Sequence, residues 1–267
     1  MLTTLLLYVV LGALAGVVAG LFGIGGGLLI VPVLVFSFEL QGIAPEVLTH
    51  MAVATSLATI VVTSISSVRT HHQHGAVRWE LFKPLAMGIL LGAVLGVNTA
   101  VQLPGGVLQI ALGIFALLVA IQMALNLKPG AGDQVASKAE LSIAGGLIGW
   151  ASSIFGIGGG TLSVPYLSWR RIVMQQAVAT SAACGLPIAV MGALTNIWMG
   201  WGEANLPAWS LGYVYMPAFA GIVLASSLTA PIGARLAHRL SQPILKKIFA
   251  VFLVVVGGRF ILSNLGA

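Results

Sequence analysis

The chain has 267 residues, of which 58% are hydrophobic and only 7% are charged, and its formal net charge is +6. A soluble domain carries roughly 25% charged residues because its surface must face water. This composition therefore excludes a soluble dehydrogenase, a soluble protease and a nucleic-acid-binding protein. The lone cysteine, Cys184, excludes an internal disulfide and a cysteine-rich metal site. The sequence predicts a chain that lies in a lipid bilayer, with no nucleic-acid partner and no cofactor.

Apolar stretches follow one another along the whole chain. They lie at about 3–22, 27–38, 47–68, 81–101 and 106–127, and then at about 141–155, 159–169, 176–201, 209–230 and 245–264. A helix needs about 20 apolar residues to cross the hydrocarbon core. The stretches at 27–38, 141–155 and 159–169 are too short for a comfortable straight crossing, and each adjoins a glycine cluster. We expect broken or re-entrant segments there.

The most polar run of the chain, KPGAGDQVASK at 128–138, lies between two apolar halves. Its composition is typical of a connector. The sequence therefore predicts a first repeat over 1–127 and a second over 139–267. The predicted fold is an all-α polytopic membrane protein with about five membrane segments in each repeat.

The loops differ in charge, and basic loops face the cytoplasm in membrane proteins. Basic residues lie in 69–80, at 170–171 and in 231–247, whereas 39–46 and 202–208 carry glutamate and no base. This pattern predicts that the basic loops and the 128–138 connector are cytoplasmic. Both termini are then external, and each half crosses the membrane an odd number of times.

The two halves share a long motif. Residues 22–34 are FGIGGGLLIVPVL and residues 155–167 are FGIGGGTLSVPYL, with ten of thirteen positions identical at an offset of 133. The segment Ala-Val-Ala-Thr-Ser also occurs at 52–56 and again at 177–181, and Pro84 and Gly88 match Pro217 and Gly221 at the same offset of 133. The two copies enter the membrane from opposite sides, which indicates inverted repeats of the kind found in secondary transporters.

Each glycine cluster precedes a short apolar segment that contains a proline. The first turn of a helix exposes unpaired N–H groups, glycine lets a ligand approach them closely, and the helix N-terminus carries about half a positive charge. These properties favour an anion site without a lysine or an arginine. Close helix packing is the alternative explanation for glycines, and we favour it for the stripes Gly12, Gly16, Gly20 and Gly88, Gly92, Gly96.

The repeated Ala-Val-Ala-Thr-Ser segments supply hydroxyl groups that can donate to an anion. They can equally bond a neighbouring helix or their own preceding turn. The residues that we expect to contact the anion are Gly25, Gly26, Gly27, Thr55, Ser56, Gly158, Gly159, Gly160, Thr180 and Ser181.

No predicted span carries a carboxylate at its centre, because all six acidic residues fall in loops or at span ends. Cation and proton transporters usually place such groups in their pathways. The pattern therefore argues against a cation carrier. The histidines at 71, 72 and 74 have no carboxylate or cysteine close in sequence, so we expect a solvated loop there and no metal site.

The octapeptide from Gly20 to Gly27, the trailing Val31-Pro32 and the second copy of the pattern resemble the TauE/SafE family of sulfite exporters. The resemblance extends over nearly the whole chain, and the family includes proteins linked to sulfite, sulfoacetate, thiosulfate and other sulfur-containing anions. It implies membrane transport of a small inorganic or organosulfur anion. We expect the inner membrane of a bacterial cell, and either a monomer or a homodimer, because a small-residue stripe can serve a dimer or an internal helix pair. The second copy has Thr161 and Ser163 where the first has Leu28 and Ile30, which makes the site asymmetric.

The leading hypothesis is export by alternating access between the two inverted repeats, with the anion bound between Gly25–Gly27 and Gly158–Gly160. Three alternatives stay open: an anion channel, an importer of another organic anion, and a membrane enzyme or scaffold. An enzyme would need acid, base, nucleophile or metal groups together in the bilayer, and the sequence contains no such cluster. We therefore expect no enzymatic activity.

Overall fold

The computed structural model describes residues 2–22, 27–125, 137–237 and 242–265. Helices make up most of these residues, which confirms the prediction of an all-α polytopic membrane protein. They are α1 (Leu2–Phe22), α2 (Gly27–Leu40), α3 (Pro45–Gln73), α4 (Trp79–Gln102), α5 (Gly105–Ala124), α6 (Lys138–Ile154), α7 (Gly160–Trp169), α8 (Met174–Met199), α9 (Met216–Ala237) and α10 (Gln242–Asn264). A short hairpin of β1 (Ser210–Leu211) and β2 (Val214–Tyr215) precedes α9. The predicted 128–138 connector lies outside the described residues apart from Ser137 and Lys138.

Within the described residues, five helices are long and apolar enough to cross a membrane, namely α3, α4, α5, α8 and the Lys247–Asn264 part of α10. Their outer faces expose large aliphatic side chains, among them Leu91, Leu95, Leu118, Val251 and Leu262. A soluble monomer rarely exposes so large an apolar surface. The chain is therefore a multi-pass membrane protein.

Three helices are shorter than a crossing, as the sequence predicts. Helices α2, α6 and α7 have 14, 17 and 10 residues, so at about 1.5 Å per residue none of them spans a hydrocarbon core of about 30 Å. The second glycine motif is a true break, because α6 ends at Ile154, α7 begins at Gly160, and Gly156 has a φ of 64° that favours glycine. The break of the first motif, Gly23–Gly26, lies outside the described residues.

Helices α3 and α8 form the centre of the molecule, with most of the side chains in their apolar windows buried. They run antiparallel, because Gly192 of α8 packs on Leu57 of α3 while Gly185 packs near Ser64. The remaining helices surround this pair. Helix α1 packs against α9, α6 packs against α4, and α5 packs against α10.

These contacts are symmetric in chain order. If each helix is exchanged for the helix five places away (α1 with α6, α2 with α7, and so on), the pairs α1·α9 and α6·α4 exchange, and the pairs α3·α8 and α5·α10 are unchanged. The counterparts α5 and α10 also run antiparallel, since Gly106 faces Asn264 and Gly113 faces Gly257. Two antiparallel counterpart pairs are the geometry expected where two repeats meet in opposite orientations.

The register of the outer pairs differs from the sequence match by one helical turn. A β-carbon on four glycines would lie 2.6 to 3.0 Å from a Cα of the facing helix: Gly12 on Ile222, Gly16 on Ser226, Gly145 on Leu85 and Gly149 on Ile89. Helices α1 and α6 correspond at the offset of 133, but Ile222 and Ser226 follow Leu85 and Ile89 by 137. The predicted correspondence of Pro84 with Pro217 and of Gly88 with Gly221 is therefore wrong. The proline and the glycine are identical at the offset of 133, but the contacts between helices give an offset of 137, which is one helical turn further along the chain.

Charged side chains gather at the two ends of the described structure. The basic end contains Arg69, Arg78, Glu80, Lys138, Glu140, Arg170 and Arg171. It is held by ion pairs between Arg170 and Glu140 and between Arg78 and Glu80, and by an Arg78–Gln176 hydrogen bond of 3.0 Å. The acidic end contains Glu39, Glu46, Glu203 and Arg259, with a 3.0 Å ion pair from Arg259 to Glu39.

Candidate functional site

The two glycine motifs meet in the interior of the protein. Gly27 begins α2 and is buried. A β-carbon at Gly27 would lie 2.8 Å from the carbonyl oxygen of Gly156 and 2.8 Å from the Cα of Ile157. Both atoms belong to the second motif, so the last glycine of the first copy touches the backbone of the second copy. The structure thus brings together segments that are 129 positions apart, counted from Gly27 to Gly156.

The second motif also packs tightly on α8. A β-carbon at Gly159 would lie 2.9 Å from the carbonyl oxygen of Ser181 and 3.0 Å from the amide nitrogen of Gly185. Both neighbours are backbone, so any larger residue at this position would push α7 away from α8. Gly158 is less confined, with its nearest neighbour, the side chain of Ile60, at 3.6 Å. Glycine at Gly159 is therefore required for close packing as well as for access to the backbone.

Helix α7 begins at this contact and has no side chain that caps its N-terminus. The first backbone amide bonded within this turn is that of Ser163, which donates to the Gly159 carbonyl over 2.8 Å. The N–H groups of the first helical turn have no intrahelical acceptor. They point out of the helix toward its positive end, where an anion is stabilised.

The threonines of the repeated Ala-Val-Ala-Thr-Ser segments make equivalent bonds across the two halves. Thr55 on α3 accepts a hydrogen bond from the backbone N–H of Tyr215, 3.0 Å away, directly before α9. Thr180 on α8 accepts one from the backbone N–H of Arg78, also 3.0 Å away, directly before α4. Tyr215 follows Arg78 by 137 positions, the same offset that relates α4 to α9. Each threonine therefore satisfies an amide at the head of a helix in the other half.

These bonds leave the threonine protons available, because each oxygen acts as an acceptor. Ser56 differs, since its hydroxyl donates to the Gly156 carbonyl over 2.7 Å and its proton is already engaged. This bond fixes the turn of the second motif against α3. Thr55, Ser56, Thr180 and Ser181 are all essentially inaccessible to solvent.

Four buried serine hydroxyls have no hydrogen-bond partner at the second motif. Ser152, Ser153 and Ser163 are 0% exposed and Ser181 is 1% exposed. An unsatisfied buried hydroxyl costs about 1–3 kcal/mol, so a cluster of them indicates a place where another polar group is bound. The sequence analysis singled out Ser181 and the presence of Ser163 where the first motif has Ile30, but it missed Ser152 and Ser153. Serines at the end of an apolar stretch carry no pattern that separates a ligand contact from a bond to the preceding turn.

The structure thus brings residues of α2, α3, α7 and α8 together at one contact, and α7 begins there at Gly160. The other predicted residues at this contact are Gly27, Ser56, Gly158, Gly159 and Ser181. Thr55 and Thr180 flank it at the heads of α9 and α4. Gly25 and Gly26 lie outside the described residues.

The charges nearest in sequence to this contact lie at the basic end. Arg170 follows α7 directly, pairs with Glu140, and lies 4.5 Å from the centre of the Trp169 ring. Helix α7 has 10 residues, so Arg170 is about 15 Å from the head of α7 along the helix. No group of three or more histidine, cysteine or acidic residues that could hold a metal ion occurs in the described part of the chain. The described residues at this contact offer backbone and hydroxyl dipoles.

Comparison with known proteins matches the chain to one family model. The model described as "Sulfite exporter TauE/SafE" matches residues 8–260. No solved structure matches the chain significantly.

Relatives of similar length occur in bacteria and archaea. A probable membrane transporter protein of Haemophilus influenzae is 43% identical, with 96% of this chain and 97% of the relative covered. One of Methanocaldococcus jannaschii is 29% identical, with 94% and 92% covered. One of Bacillus subtilis is 24% identical, with 96% and 97% covered.

Proposed function

This chain is a membrane transporter of the TauE/SafE family, and from that membership we propose that it exports a small sulfur-containing anion such as sulfite, thiosulfate or sulfoacetate. The observation that carries the proposal is the buried contact between the two glycine motifs at Gly27 and Gly156. A site at the junction of two repeats can open to either side of the membrane by a small rearrangement.

The proposed anion shell consists of Gly25, Gly26 and Gly27 from the first motif and Gly158, Gly159 and Gly160 from the second. The free amides at the head of α7 supply hydrogen bonds and a positive dipole. Ser181 supplies an unpartnered hydroxyl, and Thr55 and Thr180 supply protons that their present bonds do not use. Ser56 holds the turn in place through the Gly156 carbonyl.

The proposed mechanism is alternating access between inverted repeats that comprise 1–127 and 139–267, joined by a connector at 128–138. The symmetric helix pairs support this division, as do the antiparallel counterparts α3 and α8 and α5 and α10. In such transporters the repeats rock against each other about a fixed site. The bonds from Thr55 to the head of α9 and from Thr180 to the head of α4 lie where that motion would act.

The proposed orientation places the basic end in the cytoplasm and both termini outside, in the inner membrane of a bacterial cell. The separation of Arg69, Arg78, Arg170 and Arg171 from Glu39, Glu46 and Glu203 supports it. A potential of about 100 mV, negative inside, drives each negative charge outward with about 2.3 kcal/mol. For a dianion this gives on the order of a thousand-fold gradient, so export needs no coupling ion.

The test is anion efflux from proteoliposomes that contain the purified protein. Vesicles are loaded with sulfite, thiosulfate, sulfoacetate, sulfate or acetate, and a potassium gradient with valinomycin sets the potential. We expect saturable efflux of a sulfur-containing anion that rises with a potential negative inside. Efflux that is unchanged when the potential is held at zero would contradict potential-driven export. Ohmic single-channel currents in a planar bilayer would identify a channel instead.

A further inference from the structure

Several helical serine and threonine side chains in the described residues bond the preceding helical turn. The hydroxyls of Thr59, Thr70, Thr99, Ser227, Thr229 and Ser263 all donate to carbonyl oxygens three or four residues earlier, at 2.7 to 3.0 Å. A serine or threonine in a helix can form this bond to the preceding turn when its hydroxyl has no other acceptor. Ser152, Ser153, Ser163 and Ser181 make no such bond although they are buried. Their hydroxyl protons are therefore free to be donated to another acceptor.

The four serines lie on the three helices whose backbones meet at the head of α7. Ser152 and Ser153 lie in the last turn of α6, and the Ser152 carbonyl accepts the Ile157 amide of the second motif over 3.0 Å. Gly159 and Ser163 share one face of the first turn of α7, because they stand four residues apart and are joined by a backbone bond. That face packs on α8 at Ser181, as the Gly159 contact shows. The hydroxyls of α6, α7 and α8 thus accompany the free amides of one helix N-terminus.

The first repeat has no equivalent set. The positions that correspond to Ser152, Ser153 and Ser163 at the offset of 133 are Ala19, Gly20 and Ile30. The counterpart of Ser181 in the repeated segment is Ser56, whose proton is already donated to Gly156. Within the described residues, the buried hydroxyls without a partner all lie in the second repeat.

We propose that Ser152, Ser153, Ser163 and Ser181 line an oxyanion pocket at the head of α7, so that the second repeat supplies the hydroxyl ligands of the transported anion. This inference rests on the proposed function and names residues for its site. The ligand chemistry is that of an oxyanion with several oxygen acceptors, because hydroxyls from three helices and the free amides are donors that the separate oxygens of one ligand can each accept. Dipoles take the place of a cation, so release of the anion stays easy.

The test compares loss of these hydroxyls with loss of a bonded one. Thiosulfate is the probe, and KM for efflux and the thermal midpoint of unfolding are measured for Ser163→Ala, Ser181→Ala and the control Thr59→Val. Thr59 is 1% exposed, and its hydroxyl donates to the Ser56 carbonyl at 2.7 Å. We expect each serine variant to raise KM about tenfold, as loss of a hydrogen bond to a charged ligand does. Its midpoint without thiosulfate should not fall, because no bond within the protein is lost. Thr59→Val should leave KM unchanged, because the hydroxyl that it removes is already bonded within α3.

The outcomes separate this inference from the proposed function. If wild-type protein transports thiosulfate and both serine variants keep its KM, the oxyanion pocket is wrong and the transporter stands. If wild-type protein neither transports nor is thermally stabilised by any of the sulfur anions, the proposed function fails and this inference fails with it. Ser163 and Ser181 lie on different helices. If one of the two serine variants misfolds, the KM of the other variant still tests the oxyanion pocket.

Discussion

Single hydroxyl groups connect the two halves of this protein. Thr55 and Thr180 each accept the N–H of a residue that directly precedes a helix of the other half. Such an amide has no partner within its own helix. The hydroxyl oxygen satisfies it, in a buried bond for Tyr215 and in a partly buried bond for Arg78.

Replacing either threonine with valine tests this role at nearly constant volume. Thr180→Val leaves the Arg78 amide without its acceptor, and Thr55→Val does the same to the Tyr215 amide. An unsatisfied buried donor costs about 1–3 kcal/mol, so both variants should have a lower midpoint of thermal unfolding in detergent. Thr70→Val is the matched control, because Thr70 is exposed and bonds only its own helix. Equal midpoints for Thr180→Val, Thr55→Val and Thr70→Val would show that these bonds add nothing to stability.

At these residues the sequence predicts buried hydroxyls but not their partners. The repeat indicates that Thr55 and Thr180 matter, and the expectation of an anion contact follows from their chemistry. Their observed partners lie 160 and 102 positions away. The helical pattern of a sequence does not show which distant backbone amide lacks a hydrogen-bond acceptor. The partners of Thr55 and Thr180 therefore become visible only in the tertiary structure.

At the scale of helices, the small-residue stripes allow close helix packing, as the sequence predicts. A β-carbon at Gly88, Gly92 or Gly96 of α4 would lie 1.8 to 2.3 Å from carbonyl oxygens of α6, and Gly12 and Gly16 similarly face α9. Without a hydrophobic drive between helices in lipid, such close backbone approach is a main source of association. The stripes therefore hold α4 to α6 and α1 to α9.

The α4–α6 contact offers a sensitive position and a tolerant one in the same interface. A β-carbon at Gly92 would lie 2.0 Å from the Gly146 carbonyl oxygen, whereas one at Gly146 would have its nearest neighbour at 3.8 Å. Gly92→Ala should therefore force the helices apart and destabilise the protein by about 1–3 kcal/mol. Gly146→Ala should change stability by less than about 0.5 kcal/mol. The comparison is made by thermal or denaturant unfolding in detergent, and a Gly92→Ala variant as stable as Gly146→Ala would contradict the tight contact.

The helix boundaries were largely predictable and the helix register was not. Apolar stretches at 27–38 and 159–169 became α2 and α7 with small changes at their ends, because hydropathy and glycine act locally. The predicted alignment of α4 with α9 was wrong by four residues. Two prolines and two glycines match one turn away from the observed register, which is given by contacts such as those of Gly12 and Gly145.

At the scale of the whole molecule, the two ends differ in charge, and this difference supports the proposed orientation. A cysteine scan tests it directly. Gln73 is an exposed residue at the basic end and Glu203 one at the acidic end, while the native Cys184 is 0% exposed and unreactive to a bulky label. We expect a membrane-impermeant maleimide to label Glu203→Cys in intact spheroplasts, and to label Gln73→Cys only after permeabilisation. The opposite pattern would invert the orientation.

The central claim is that the anion passes where the two glycine motifs touch. Gly27→Ala tests it most directly, because the added methyl would be driven into the Gly156 carbonyl and the Ile157 Cα of the other repeat, each 2.8 Å away. Gly258→Ala is the control, since no atom lies within 4 Å of a β-carbon at that helical glycine. In proteoliposomes with equal amounts of folded protein, we expect Gly27→Ala to lower thiosulfate efflux about tenfold or more, through strain of about 1–3 kcal/mol at the site. Gly258→Ala should match the wild type. Efflux from Gly27→Ala equal to that of Gly258→Ala would contradict the account and move the pathway away from the glycine motifs.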